Sequence, residues 1–474
     1  MITAMIIVFL FGYILIALEQ KVRINKSAIA LVMGMTLWVM YAFDASVIIP
    51  QLSEQAFQFF LKLNPTTAHE SFHEQVFDFV AERQIVKFIG ETAEILFFLI
   101  SAMTIVELID VHGGFAVITN RIKAKEKKKL LWLITFVTFF LSAVLDNMTT
   151  AIVIIMMLRK LVHNKEDKWL FIGMVIIAAN AGGAWSPVGD ITTILLWVKG
   201  NVSTALLLKQ VLLPSIVSIV VPGIFIARKL KGQIEEDPES TNNEEEPYLS
   251  LVSKKERISI LAIGIIGILL VPVFKSVTHL PPVIGILMSL GYIWVYTEIM
   301  YAKKPFLEES QKMRVGNVIK RIDTATILYF MGILMSVGAL QVSGILGMMS
   351  EFLDKHVHNV YLIDLAIGFI SSVVDNGSLV AGAIGMYPLA NIADLAGSPN
   401  FEYMRHFVAD GNFWQFLSYC AGTGGSMLII GSAAGVVAMG LEKITFSWYL
   451  KNITLYAMIG FLMGAATFML LISL

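Results

Sequence analysis

Long runs of apolar residues recur along the whole chain, and they limit its fold more than any other sequence feature. Only 15% of the residues are charged and 57% are hydrophobic, whereas soluble domains carry about 25% charged residues. Many of the runs reach the roughly 20 residues that a helix needs to cross a bilayer, so we predict an all-α polytopic membrane protein with about 10 transmembrane helices. The predicted spans are residues 4–18, 27–43, 87–109, 169–198, 204–227, 258–274, 282–301, 323–347, 412–440 and 444–474.

The overall charge and the cysteine content exclude several classes of function. The formal net charge is −1, which offers nucleic acid no excess of positive charge. The single cysteine, Cys420, excludes an intramolecular disulfide and a cysteine-based metal cluster. The first apolar run has no basic residue before Lys21, so we interpret it as a retained membrane span rather than a signal peptide.

Basic residues mark the loops that we expect on the cytoplasmic side, because Lys and Arg concentrate there in membrane proteins. Placing all the basic loops on that side gives an alternating topology with both termini outside. We expect a multi-pass protein of a bacterial inner (plasma) membrane. The basic loops are residues 19–26, 120–129, the flanks of 228–257, and 302–321.

One apolar segment, residues 131–159, breaks this alternation unless it enters and leaves on the same side. It carries Asp146 and Asn147 at its centre, and basic residues lie at both of its ends. Each half has about 14 residues, or ~21 Å of helix, which is too short to cross ~30 Å of hydrocarbon. We therefore predict a re-entrant hairpin that enters from the cytoplasm.

A second segment, residues 361–391, has the same pattern, with Asp375 and Asn376 at its centre. Its flanking loops contain few basic residues, so we predict that this hairpin enters from outside. Two similar segments with opposite entry are typical of the inverted repeats of secondary transporters.

Glycine-rich segments that follow each hairpin support the repeat. Both lie in the middle of a predicted span, where glycine, and in the first segment Pro187, would interrupt the helix. Interrupted helices free backbone carbonyls, which lipid tolerates only where they line a site. The segments align as Gly182 with Gly424, Gly183 with Gly425, and Gly189 with Gly431.

The repeat sets the domain boundaries that we predict. Two copies of the same unit flank a polar cytoplasmic linker and a pair of connecting helices. The boundaries are 1–85 for N-terminal helices and an external loop, 86–228 for repeat 1, 229–256 for the linker, 257–322 for the connecting helices, and 323–474 for repeat 2.

Oxygen-bearing side chains cluster around the hairpin tips and the interrupted spans. Carboxylate, hydroxyl and amide oxygens are the ligands that hard cations prefer. Ser142 and Ser371 lie four residues before Asp146 and Asp375, a spacing that places each pair on one helix face. The alternative for any Ser or Thr is that it joins helices by hydrogen bonds. The candidate cation and proton ligands are Ser142, Asp146, Asn147, Thr149, Ser371, Asp375, Asn376 and Ser378, with Asn180, Ser186, Asp190, Thr192, Thr193, Thr423 and Ser426 in support.

Burial of the aspartates would couple the two ions. A carboxylate in a low-dielectric surrounding holds a proton unless a cation replaces it, so Na⁺ and H⁺ compete for the same oxygens. We assign this role to Asp146 and Asp375. Asp190 is a third participant without a carboxylate mate, because Ser432 occupies the matching position. The only ligands expected are the transported ions, with no resident cofactor.

Titratable residues elsewhere are weaker candidates. Glu94 lies well inside a predicted span and is a candidate proton relay or pH sensor. The eight histidines, His112 among them, fall in loops or near interfaces, and we expect them to be exposed to solvent.

Three motifs resemble the NhaD-type Na⁺/H⁺ antiporters of the ion transporter superfamily, which also includes divalent-anion/Na⁺ symporters, arsenite pumps and citrate carriers. The motifs are SAVLDNMTTAIV, NAGGAWSPVGDITT and SSVVDNGSLVAGA, and the resemblance runs from about Gly90 to the end. The symporters carry Ser-Asn-Thr at the hairpin tips. Here aspartate replaces the serine at both tips, which favours a proton-exchanging cation carrier over an anion carrier.

The resemblance implies more than the spacing does. It maps one sodium site onto Ser142, Asp146, Asn147 and the backbone near Trp185. It maps a second onto Ser371, Asp375, Asn376 and the backbone near Met427. It also implies a homodimer with a static scaffold domain and an elevator-like transport domain, which exchanges Na⁺ or Li⁺ for H⁺.

Other functions remain open from the sequence. Anion or arsenite transport would use the same scaffold. An intramembrane aspartyl protease would pair Asp190 with a second aspartate as acid and base, but it has no use for duplicated Asp-Asn tips. A cation channel does not need titratable pairs at occluded tips.

Overall fold

Apolar helices form most of the described chain, as the sequence predicts. The computed structural model describes residues 1–17, 19–65, 69–115, 126–234, 252–305, 307–393, 395 and 400–473. Residues 120–125 of the second basic loop and 235–251 of the predicted linker lie outside this part. We label the α-helices of seven or more residues α1 to α20 in chain order.

The first half of the chain contains α1 to α10. Proline and glycine lie inside several of these helices. Their bounds are α1 Ile2–Ala17, α2 Lys26–Leu52, α3 Glu54–Leu63, α4 Phe72–Asp78, α5 Val86–Val111, α6 Lys127–Ser142, α7 Asn147–Leu161, α8 Lys165–Ala184, α9 Ile191–Val198 and α10 Thr204–Lys229.

The second half contains α11 to α20. Their bounds are α11 Lys254–Thr278, α12 Pro282–Ala302, α13 Thr324–Val342, α14 Ile345–His356, α15 Val360–Ser371, α16 Asn376–Met386, α17 Asn412–Gly424, α18 Ala433–Glu442, α19 Phe446–Asn452 and α20 Thr454–Ser473.

Seven helical segments of the described chain are long and apolar enough to cross a membrane. They coincide with seven of the ten predicted spans. The other three predictions fall on α1, which has 16 residues, and on two spans that are divided, α8 with α9 and α17 with α18. The membrane character is therefore confirmed, whereas the number of crossings stays a prediction.

The region predicted as an external loop is largely helical. It contains α3 and α4, and a π-helix, Phe79–Ile85, joins α4 to α5 without interruption. Phe57 and Phe60 of α3 contact the ring of Phe79 with centroids 5.5 and 5.4 Å apart. This aromatic cluster has a tertiary origin, which explains why apolar run length alone did not predict these helices.

The chain divides into two compact units. The first comprises residues 1–99, 323–359 and 381–388. Within it, α2 and α13 cross at Gly34 and Gly332, where an added Cβ would lie 2.6 Å or less from backbone atoms of the other helix. Trp38 also donates a hydrogen bond to the carbonyl of Met335. Close backbone approach therefore joins segments that lie about 300 residues apart.

The second unit comprises residues 100–322, 360–380 and 389–474. Helix α8 is its centre, since every residue from Trp169 to Ala184 is buried. Helices α6, α7, α10 and α17 contact α8, and α15 contacts α17. The candidate site residues other than Glu94 belong to this unit.

Candidate functional site

Four helix breaks in the second unit have the same design. Each break ends at a short polar residue whose side-chain oxygen accepts a hydrogen bond from the backbone of the helix that follows, the preferred arrangement at an N-cap. Three of these residues are aspartates, which also complement the positive end of the helix dipole. They are Asp146 before α7, Asp190 before α9, Asp375 before α16 and Ser432 before α18.

The hairpin-tip aspartates are satisfied locally. The two Asp146 oxygens accept hydrogen bonds from the Thr149 backbone N–H at 2.8 Å and the Thr149 hydroxyl at 2.6 Å. Asp375 accepts the equivalent bonds from Ser378 at 3.3 and 3.2 Å. Both aspartates are half-buried. The matching geometry fits the predicted repeat.

The asparagines of both tips converge on Asp190. The Asn147 amide donates to Asp190 Oδ2 at 2.7 Å. The Asn376 amide lies 3.1 and 3.3 Å from the two oxygens of the same carboxylate. Asp190 is 2% exposed. The described residues record no salt bridge between Asp190 and a lysine or arginine.

The network continues to the second broken span. The Asn147 amide also lies 3.1 Å from the side-chain oxygen of Asn180, whose own amide donates to the Ser432 hydroxyl at 2.9 Å. Asn180 is fully buried in α8. Side chains from both hairpins and both broken spans therefore form one connected polar chain, as the sequence clustering suggested.

Ser142 and Ser371 do not contact the aspartates that follow them. Helix α6 ends at Ser142 and α15 ends at Ser371, so no helical turn connects either serine to its aspartate, and the predicted shared face is wrong. Their hydroxyls instead donate to the carbonyls of Ala179 and Ala421, at 2.6 and 2.7 Å. Each serine therefore attaches its hairpin to the neighbouring broken span.

The paired glycines allow this attachment. An added Cβ at Gly182 would lie 2.2 Å from the carbonyl oxygen of Phe139, and one at Gly424 would lie 2.2 Å from that of Gly368. Similarly, a Cβ at Gly189 or Gly431 would lie 2.5 Å from a carbonyl oxygen of a hairpin tip. Only glycine permits backbones to approach so closely.

The other predicted residues surround the breaks. Trp185 follows α8 and stacks on Phe139 with ring centroids 5.6 Å apart, whereas Met427 is buried beyond α17. Hydroxyls at the breaks donate to nearby carbonyls: Ser186 to Ala143, Thr193 to Asp190, Thr423 to Tyr419, and Ser426 to Thr423. Among the described residues, the buried hydroxyl of Thr150 has no hydrogen-bond partner, whereas Thr192 donates its backbone N–H to Asp190 at 3.0 Å.

Two titratable residues outside the cluster, Glu94 and His112, differ in how their burial compares with the sequence prediction. Glu94 is half-buried and belongs to the first unit, so its role as a relay stays a prediction. His112 is fully buried, contrary to our expectation of an exposed histidine. Its ring nitrogens lie 2.7 Å from the Leu108 carbonyl and 2.9 Å from the Tyr301 hydroxyl. Residue order places His112 just beyond the end of α5, where exposure is expected, but α12, which is distant in sequence, covers it through Tyr301.

The arrangement can hold one positive charge in exchange for another. A carboxylate removed from water without a cation partner is strongly disfavoured in its free ionised form. One proton or one monovalent cation would neutralise the single negative charge of an ionised Asp190. Amide and hydroxyl oxygens next to it can complete the coordination of a hard cation.

Sequence comparisons relate the chain to known transporters. A family model described as "Citrate transporter" (CitMHS) matches residues 13–400. The chain is 39% identical to sodium/proton antiporters 1 and 2 of Arabidopsis thaliana, over 98% of its length and over 72% and 98% of theirs. It is 28% identical to the Na⁺/H⁺ antiporter NhaD of Alkalimonas amylolytica, over 94% of this chain and 86% of that protein.

Proposed function

The chain belongs to the citrate transporter family, whose members are membrane transporters and not enzymes, and we propose that it exchanges Na⁺, or Li⁺, for H⁺. Relatives from a plant and from bacteria bear the name of sodium/proton antiporter. We place the protein in a plasma membrane as a multi-pass protein with both termini outside, where it contributes to pH homeostasis.

The observation that supports this function best is the position of Asp190. One buried carboxylate accepts hydrogen bonds from Asn147 and Asn376, which come from two different hairpins. A protonated carboxyl group would keep these bonds while it is neutral. Binding of Na⁺ would displace the proton, and rotation of the asparagine amides would turn their oxygens toward the cation.

The broken helices supply further oxygens in this proposal. The last carbonyls of α8 and α17, near Trp185 and Met427, carry the partial negative charge of a helix C-terminus. Asp146 and Asp375 cap the helices that follow the tips, and their charges attract a cation to both sides of Asp190. Exchange then requires that the occupied site face the two sides in turn, for which we propose elevator movement of the hairpins within a homodimer.

Anion transport is the second candidate, because the matching family is described as a citrate transporter. The site argues against it. Three aspartates at the breaks would repel a carboxylate substrate, and no lysine or arginine of the described chain forms a salt bridge with them. Uptake of citrate or arsenite by vesicles, without Na⁺-dependent proton movement, would favour this alternative.

Everted vesicles that contain the protein test the proposal. Addition of Na⁺ or Li⁺ should dissipate a preformed pH gradient across a pH series, whereas K⁺ serves as the comparison cation. Asp190→Asn should lower the exchange rate about tenfold or more, because the amide lacks the negative charge that binds the cation or the proton. A tenfold loss corresponds to ~1.4 kcal/mol of cation binding. Asp146→Asn should alter the pH dependence.

The matched control is Asp323→Asn. Asp323 caps α13 by the same bonds that Asp146 makes, accepting the backbone N–H of Thr326 at 3.1 Å and its hydroxyl at 2.5 Å. It lies in the first unit, outside the cluster. The control should keep its exchange rate. Unchanged exchange and pH dependence in Asp190→Asn would refute our assignment.

A further inference from the structure

A second buried carboxylate lies outside the cluster, on the first helix of the second hairpin. Asp364 of α15 is 0% exposed. Within the described chain, neither of its carboxylate oxygens has a hydrogen-bond partner. The sequence analysis did not single it out, although a lone aspartate in the apolar run VYLIDLAIGFIS is a signal that was available.

Helices α17 and α20 pack next to this part of α15. Helix α15 packs on α17, and one turn after Asp364 an added Cβ at Gly368 would lie 3.0 Å from the Cys420 carbonyl and 2.7 Å from the Phe461 ring of α20. Of the titratable groups described, Cys420 of α17 is the one that interacts electrostatically with Asp364. No positive charge among the described residues therefore balances an ionised Asp364.

The first hairpin fills the equivalent position with a neutral residue. The offset of 229 positions that relates Asp146 to Asp375 also relates Thr135 to Asp364. Thr135 is fully buried in α6 and donates its hydroxyl to the Leu131 carbonyl at 2.7 Å. A neutral side chain is thus buried and hydrogen-bonded at the equivalent position of the first hairpin.

We propose that Asp364 is a second proton-binding site, separate from Asp190 and carried by the second hairpin. Burying an ionised carboxylate with no partner costs several kcal/mol, whereas the neutral acid costs far less. Asp364 therefore holds a proton in this conformation. Its effect on transport rests on the proposed Na⁺/H⁺ exchange: a second titrating group makes the pH dependence of exchange steeper than Asp190 alone would.

Infrared spectroscopy of the full chain in lipid tests the proton directly. A protonated carboxyl group has a C=O stretching band that is distinct from that of a carboxylate. Asp364→Asn and Asp364→Thr should both remove one such band at neutral pH, and the second variant places the residue of the first hairpin in the second. A spectrum with no band lost in either variant would overturn the proposal, whether or not the protein exchanges ions.

A separate measurement tests whether Asp364 affects the pH dependence of exchange. Na⁺-driven exchange across a pH series should show a less steep profile in both Asp364 variants than in the wild type. Thr135→Val, which alters the equivalent position of the first hairpin, should keep the wild-type profile. An unchanged profile in both Asp364 variants would refute the role in exchange. If the wild type shows no exchange, the proposed function fails, and the infrared band still decides whether Asp364 binds a proton.

Discussion

At the residue scale, the two members of each Asp-Asn pair make different contacts. The aspartate caps the helix that follows the tip, and the asparagine reaches Asp190 on a broken span. The carboxylate on which the two asparagines converge is therefore Asp190, whereas the sequence favours Asp146 and Asp375 as the main ion-binding residues. Hydrogen bonds that join helices account for the caps, but they do not account for a buried carboxylate that forms no salt bridge with a lysine or arginine of the described chain.

His112 gives a residue-scale prediction about pH. Burial lowers the pKa of His112 below its usual value of about 6.5, the Leu108 carbonyl opposes this shift, and Lys304 adds to it. The unfolded chain then binds a proton more readily than the folded chain does. Stability from this group is therefore present above about pH 6.5 and is lost as the pH falls below it.

Thermal unfolding in detergent, followed by tryptophan fluorescence, measures this effect. The melting temperature of the wild type should fall on acidification, and His112→Gln should reduce the fall. His356→Gln, at an exposed position, is the control and should behave as the wild type does. An equal fall in wild type and His112→Gln would show that other groups control acid stability.

At the element scale, the hairpins depend on close contact with the broken spans. Gly182 and Gly424 lie against backbone carbonyls, which cannot swing aside as a flexible side chain can. We expect Gly182→Ala and Gly424→Ala each to cost about 1–3 kcal/mol or more by overpacking. Both should also lower exchange, because they displace the tips from Asp190.

The control for these variants is Gly440→Ala. Gly440 lies in α18, and an added Cβ there meets no atom within 4 Å. Alanine also favours a helix more than glycine does, so this variant should be as stable as the wild type or more so. Chemical denaturation and vesicle exchange measure the two effects. Equal stability of all three variants would contradict the close packing.

At the scale of the whole molecule, the predicted topology makes a simple claim about sidedness. Both ends of the first hairpin should face the cytoplasm, and both ends of the second should face outside. Single cysteines in a Cys420→Ser background can report this at exposed positions. Suitable pairs are Lys128 with Lys165, and Lys355 with Asn391.

A membrane-impermeant maleimide should label the second pair, at positions 355 and 391, in intact cells. It should label the first pair, at positions 128 and 165, in inverted vesicles. The members of each pair should agree, because a re-entrant segment returns to its side of entry. Disagreement within the first pair would mean that residues 131–159 cross the membrane. Cytoplasmic labelling of the second pair would remove the inversion.

The sequence by itself determined the membrane class, the positions of the helix breaks and the paired Asp-Asn tips. These depend on run length and on the local preference of Asp, Gly and Pro for interruptions, which a single segment carries. Only the tertiary structure decided that Asn376 meets Asp190, 186 positions away, and that Ser142 bonds to a carbonyl of α8. Only packing showed that Asp364 and His112 are buried. A polar side chain takes whichever partner the neighbouring helices bring to it, and that depends on contacts between segments that the local sequence does not encode.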